Sequence, residues 1–353
     1  MGETTVLNVL TAGDVNMVEL HREILGPEFM RRNPNVAVRA AGSGPGEPGT
    51  RAILNRLLSQ RDAGTVPGDV DVAVVHQAVM EELITKDLVA RYAPEVGPWK
   101  LLGPTRGRNA LGFNVEGYVM PLFHAQVALA YNPQVVRAAP RSFEDLVTWI
   151  TANPRKFGHN GTRGGLSGTA FVAAWVYWRT GQYEKYTLGP YDKSAEGGWP
   201  AAIQELKSLP STLTTGNNDT LDKLNRGEIA MGPVWLDMLI NWQNEGRMDP
   251  KIRFVLISPG IPRDAMFLVI PRRGANYELA KRYVEFITSP EQQAKVIVER
   301  QGRLPGIDAE HVLPLLSRRA KTVLFQDVPP ELLRKYSLDF PMRPYFRDLI
   351  SLY

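Results

Sequence analysis

Glycines set between a short apolar run and an amphipathic helix are the first arrangement in this 353-residue chain that could do chemistry. Gly42, Gly44, Gly46 and Gly49 fall in "AAGSGPGEPGT". The run "NVAVRAA" precedes them, and Ile53, Leu54, Leu57 and Leu58 follow on one helix face. Such a loop cradles phosphate when it reads G-x-G-x-x-G or ends in G-K-[ST], because free backbone N–H groups then converge on the anion. Here the glycine register differs, no lysine follows, and Pro45 and Pro48 remove donors. The alternatives are a plain strand-to-helix turn and a ligand loop, in which Ser43, Gly44 and the N–H groups at the helix start meet a polar or anionic solute.

A second arrangement, "GLSGT" from Gly165 to Thr169, resembles the nucleophile elbow G-x-S-x-G, but Thr169 stands where the last glycine belongs. The segment before it is polar and glycine-rich, whereas the elbow needs a buried strand. The spacing predicts a helix N-terminus capped by Ser167 and offering N–H donors. The histidines His21, His76, His124, His159 and His311 show no H-x-x-x-H or H-E-x-x-H spacing, so zinc hydrolysis is not expected. With no cysteine in the chain, thiolate chemistry, disulfides and Cys-ligated metals are excluded. No cofactor and no metal ion is expected.

The remaining candidates are ligand contacts. His76 and Gln77 close the apolar run "DVDVAVV", and strand ends in open α/β sheets face the crevice. Asp14 and Asn16 follow the first run in the same way. Trp235 and Asp237 follow "MGP", where an aromatic face and a nearby carboxylate suit a polar ring, a polyol or an ammonium group; a core tryptophan with a dipole-stabilised aspartate fits equally. Trp175, Tyr177 and Trp178 read as core packing.

The elements that position these groups alternate. "TTVLNVLTA", "NVAVRAA" and "DVDVAVV" read as strands separated by helical patterns, which predicts an α/β fold with a largely parallel sheet. Pro121 and the "YNP" at Tyr131–Pro133 change the pattern, and "RSFEDLVTWITANP" follows with Ser142 and Asp145 at capping spacing. In "TSPEQQAKVIV", Ser289 is the expected cap, Pro290 the first helical residue and Gln292 the third. A short strand is expected over 228–232, with a helix beginning near Trp235.

The chain is long for a single core, so two lobes are expected. Net charge is +4, from 41 basic and 37 acidic residues without a concentrated stripe, which argues against nucleic-acid binding. The longest apolar runs, such as "AFVAAWVYW", are about half the ~20 residues of a membrane span. The start "MGETTVLNVL" lacks a charged n-region followed by an apolar h-region and reads as a mature protein with its signal peptide removed.

Taken in order, "DVNMVELHREILGPEFMRRNPNVAVRAAGSG", "GDVDVAVVHQ", "VALAYNPQVV", "LNRGEIAMGPVWLDM" and "LVIPRRGANYELAKRYVEFITSPEQQAKV" resemble the extracellular solute-binding proteins of ABC importers. "ANPRKFGHNGTRGGLSGTAFVAAWVYW" resembles the thiamine, polyamine and iron branch, with "HNGTRGG" as the loop that varies with the ligand. The resemblance implies a periplasmic-binding-protein type II fold with two α/β lobes, 1–120 with 264–305 and 121–263 with 306–353, and an interlobe ligand cleft. It also implies a periplasmic, monomeric chain that takes a thiamine-, polyamine-, polyol- or sugar-like solute and delivers it to an ABC permease and its ATPase by closing its lobes. Iron-binding members use adjacent tyrosines, and here Tyr118 alone stands near a lobe crossing. The resemblance thus implies ligand contacts from Asp14, Asn16, Ser43, Gly44, His76, Gln77, Tyr118, Gly165, Ser167, Thr169, Trp235 and Asp237. Two other functions remain open: a sensor domain of the same fold, and a cleft hydrolase using Ser167.

Overall fold

In the computed structural model, residues 3–104 and 106–353 are described; Met1 and Gly2, read above as the start of a mature chain, lie outside them. The chain divides into two compact units. The first comprises 1–124, 265–300 and 305–316, and the second 125–264, 301–304 and 317–353. Residues 305–316 thus join the first unit, where the sequence placed 306–353 in the second lobe. Gly306 has its N–H on the Gln293 side-chain oxygen, and its α-carbon packs on the Pro121 carbonyl, so this stretch is bound to first-unit partners.

The first unit is built on a sheet of β1 (Thr5–Ala12), β2 (Val36–Gly44) and β3 (Val72–His76), with β1 pairing in parallel with both others. Apolar residues on both faces of β1 and β3 make them central: Leu7, Val9 and Leu10 are buried, as are Val72 through Val75. Helix α1 (Gly46–Asp62) covers one side by burying Ile53, Leu54 and Leu57. These side chains join Val75, Leu83, Phe267 and Val269 in one core.

The second unit begins within the long strand β4 (Met120–Tyr131), which pairs antiparallel with both β7 (Met231–Trp235) and β8 (Arg253–Val255). Two short parallel strands, β5 (Gly158–His159) and β6 (Thr212–Leu213), extend it, and β5 is joined through the Phe157–Met231 bridge. Helix α2 (Leu166–Thr180) is buried almost all round, with Phe171 and Trp175 fully enclosed; the Trp175 indole N–H donates to the Ala202 carbonyl at 2.7 Å. Strand β9 (Ile261–Val269) carries the chain back, and its Met266–Val269 part pairs antiparallel with β3.

The predicted caps form. The Ser142 hydroxyl accepts from the Asp145 N–H at 3.1 Å, and the Ser289 hydroxyl accepts from the Gln292 N–H at 3.4 Å. The strand expected over 228–232 lies further on, at β7, because 228 and 229 turn their N–H groups back onto the Lys223 carbonyl and end the preceding helix.

Candidate functional site

In the first unit, β1 has β2 on one side and β3 on the other, so the chain leaves β1 in one direction and returns past it. Such a reversal in a parallel sheet leaves a crevice at the carboxyl ends of the strands beside it. The sequence places Asp14 and Asn16 just past β1, Ser43 and Gly44 at the end of β2, and His76 and Gln77 at the end of β3. The pairing register slips between Thr11 and Ala12, and the Gly13 N–H then donates to the Gly44 carbonyl at 2.9 Å. This slip turns the chain out of the sheet and leaves Asp14 and Asn16 exposed. Asp14 heads the helical turn Val15–Glu19 without capping it through its side chain.

The other groups of this edge are partly committed. The Ser43 hydroxyl donates to the Thr11 carbonyl at 3.3 Å. The His76 Nδ1 accepts from the Ala78 N–H at 3.3 Å, and its backbone N–H donates to the Thr50 hydroxyl at 3.0 Å. With Nδ1 an acceptor, neutral His76 carries its proton on Nε2. Gln77 is buried, and half-buried Tyr118 packs against the first-unit apolar core.

The glycine loop before α1 is shaped by close packing. A Cβ on Gly49 would stand 1.7 Å from the Gly44 carbonyl oxygen, and one on Gly42 would stand 2.6 Å from Val18 Cγ2. Gly44 itself adopts a left-handed backbone, with φ of 104°. The helix after the loop starts at Gly46, and no side chain caps it, so its leading N–H groups keep their donor capacity.

In the second unit, the helix after the polar loop starts at Leu166 and its cap position is Gly165, with φ of 116°. This corrects the reading of Ser167 as the cap. Ser167 lies one residue inside the helix, is buried, and donates its hydroxyl to Asn160 Oδ1 at 3.3 Å. The buried Thr169 hydroxyl is directed back at the Thr162 and Gly165 carbonyls. Neither hydroxyl stands beside a histidine base in these contacts, and a nucleophile needs that geometry first.

Trp235 ends β7 half-buried, and its backbone N–H donates to the Asn217 side-chain oxygen at 2.9 Å. Asp237, two residues on, holds Oδ2 at 3.9 Å from Arg303 Nε, while its Oδ1 is buried without a partner. Burial pushes the Asp237 carboxyl above its usual range, against the opposing pull of Arg303.

Sequence reasoning missed a cavity of about 740 Å³ in the second unit. Its lining comes from the loop after β5, from the segment around β6 and from Tyr353, and it includes Asn160, Arg163, Lys207 and Thr215. The signal was the polar, glycine-rich "HNGTRGG"; the partners that complete the wall lie far along the chain and leave no local pattern. Among the described residues, no group of at least three His, Cys, Asp or Glu side chains could hold a metal ion.

Paired α/β units of this kind define the class of bacterial solute-binding proteins. The family profile of bacterial extracellular solute-binding proteins matches residues 29–310, and the chain belongs to that family. The family consists of binding proteins, not enzymes, and the hydrolase alternative is set aside. A maltooligosaccharide ABC transporter solute-binding lipoprotein of Streptococcus pneumoniae (strain ATCC BAA-255 / R6) is 26% identical over 215 residues, 55% of this chain and 50% of that protein. The chain thus spans about half the length of the curated relatives it matches.

Solved structures show the same fold. An extracellular solute-binding protein from Bordetella parapertussis has a TM-score of 0.70 at 17% identity, covering 98% of this chain and 97% of that one. The spermidine/putrescine ABC transporter substrate-binding protein of Streptococcus pneumoniae gives 0.65 at 15% identity, covering 99% and 98%. A periplasmic thiamin-binding protein gives 0.59 at 16% identity, covering 99% and 95%. Family membership places the chain outside the cytoplasm, extracellular or periplasmic, and no described helix is long and apolar enough to cross a membrane.

Proposed function

We infer that the chain is the substrate-binding component of an ABC importer, capturing a small polar solute in the periplasm for a membrane permease and its ATPase. The observation that carries this reading is the reversal at β1, which gathers Asp14, Asn16, Ser43, Gly44, His76 and Gln77 at the carboxyl ends of parallel strands. These are the first-unit contacts of this reading, together with Tyr118. Trp235, Asp237 and the backbone at Gly165 are the second-unit contacts. The Ser167 and Thr169 side chains, already satisfied internally, support the site by shaping the start of α2.

The named relatives act on maltooligosaccharide, on spermidine or putrescine, and on thiamin, so the solute to seek is a polar molecule of sugar, polyol, polyamine or thiamine type. A thermal-shift screen over these classes, with amino acids and phosphonates, tests the reading. Binding to the folded state at a hundred times Kd adds about 2.7 kcal/mol of stability, which raises the melting temperature by a few degrees. No shift with any small solute would count against the reading.

A further inference from the structure

The second-unit cavity is a built donor site. Asn160 is 4% exposed, and its Oδ1 is engaged by the Ser167 hydroxyl. That bond fixes which end of the amide is left over: Nδ2, a buried donor with no partner. An unmet donor in a protein interior is costly, and the group that would relieve it is an acceptor. The Nδ2 lies beside the start of α2, 3.9 Å from where a Cβ on Gly165 would stand. The helix begins there with no side-chain cap, so its leading N–H groups add positive potential.

The charges agree with the donors. Arg163 and Lys207 line the cavity, and among the described residues no aspartate or glutamate lines it. Arg163 is exposed. Lys207 is held on the Tyr353 main-chain oxygen, with its ammonium 4.7 Å above the Tyr353 ring. Two carboxylates close in sequence are committed elsewhere: Glu205 pairs with Arg179 at 2.7 Å, and Asp219 accepts from the Thr215 N–H at 2.9 Å and from Lys223 at 3.1 Å. The Tyr353 ring packs against Gly161, where a Cβ would meet it at 2.4 Å, and supplies an apolar wall.

We propose that this cavity binds an oxyanion, a carboxylate or phosphate group carried by the captured solute, through Asn160 Nδ2, Arg163 and the start of α2. Only the assignment of the anion to a solute rests on the reading under Proposed function; binding of an oxyanion by the cavity does not. The room available, about 740 Å³, exceeds what a bare phosphate fills and leaves space for the body that carries it.

The test titrates the full chain with inorganic phosphate, a sugar phosphate and its parent sugar at constant ionic strength, followed by calorimetry and by the Asn160 side-chain amide resonance. The sugar phosphate is expected to bind at least 10-fold more tightly than either the parent sugar or phosphate. Arg163→Ala, at an exposed position, should weaken it at least 10-fold, and Asn160→Asp, which replaces the donor with a carboxylate oxygen, should abolish it. If Asn160→Asp does not fold, Arg163→Ala alone decides. Equal binding of sugar phosphate and parent sugar, or full retention by Arg163→Ala, would each overturn the proposal; equal binding of sugar phosphate and free phosphate would uphold the oxyanion site and overturn the assignment of the anion to a solute. A neutral or cationic solute that binds wild type and Arg163→Ala alike would do so while sustaining the solute-binding reading. Phosphate binding that Arg163→Ala removes, with no organic solute bound, would uphold an oxyanion site and sink the solute-binding reading together with the solute assignment.

Discussion

The loops that open α1 in the first unit and α2 in the second are built alike and used differently. In each, a glycine in the first helical turn lets the helix touch the loop before it: Gly49 against the Gly44 carbonyl and Gly168 against the Gly161 carbonyl, where a Cβ would stand at 1.7 Å and 2.0 Å. In the first unit, the polar side chains beside this contact face water, with Asp14 and Asn16 exposed. In the second, Ser167 and Thr169 turn inward and spend their hydroxyls on neighbouring protein groups, and the unmet capacity passes to Asn160. The difference teaches that a hydroxyl in a glycine-rich loop marks a helix start, while the burial of its neighbours decides whether it meets a ligand.

The comparison can be broken most severely at its shared part. Gly49→Ala and Gly168→Ala each force a methyl group onto a carbonyl oxygen, so each should cost about 3 kcal/mol or more in urea unfolding. If either alanine variant is as stable as wild type, the close approach in that unit is wrong.

Acid should act on each unit through a buried imidazole. Burial holds His21 in the first unit and His159 in the second at a pKa of about 4, below the ordinary 6.5. Because the folded state resists protonation, the stability tied to each is complete above pH 6.5 and drains as pH falls towards 4. The loss is about 3 kcal/mol per histidine. His21→Phe should reduce this pH dependence, read as urea midpoints at pH 7 and pH 4.5; an unchanged slope would show that His21 protonates freely in the folded protein. A smaller stability effect is expected at Ser167→Ala, about 1 kcal/mol for the bond lost to Asn160. Its calorimetric solute affinity should stay within about 2-fold if the hydroxyl acts only inside the protein.

Much of this was legible in the sequence, for identifiable reasons. The strands around Val9, Val38 and Val74 and the caps at Ser142 and Ser289 are set by local pattern and turn chemistry, and the structure forms them there. The role of Ser167 was misread because a helix start two residues earlier than expected, at Leu166, turns a capping hydroxyl into a buried one, and the shift depends on the left-handed Gly165. The start of β7 was misread because the Lys223 carbonyl, which captures the backbone of residues 228 and 229, belongs to the preceding helix. The cavity was invisible because Asn160, Lys207 and Tyr353 meet only through the packing of distant segments.

The central claim, that polar groups at the β1 reversal hold a transported solute, is tested most directly at Asp14, which is exposed and caps nothing. Calorimetric titration of wild type and Asp14→Ala with the solute that gives the largest thermal shift should show at least a 10-fold loss of affinity. The urea midpoint of the variant should correspond to a stability within about 0.5 kcal/mol of wild type. Equal affinity of the two proteins for that solute would contradict the account.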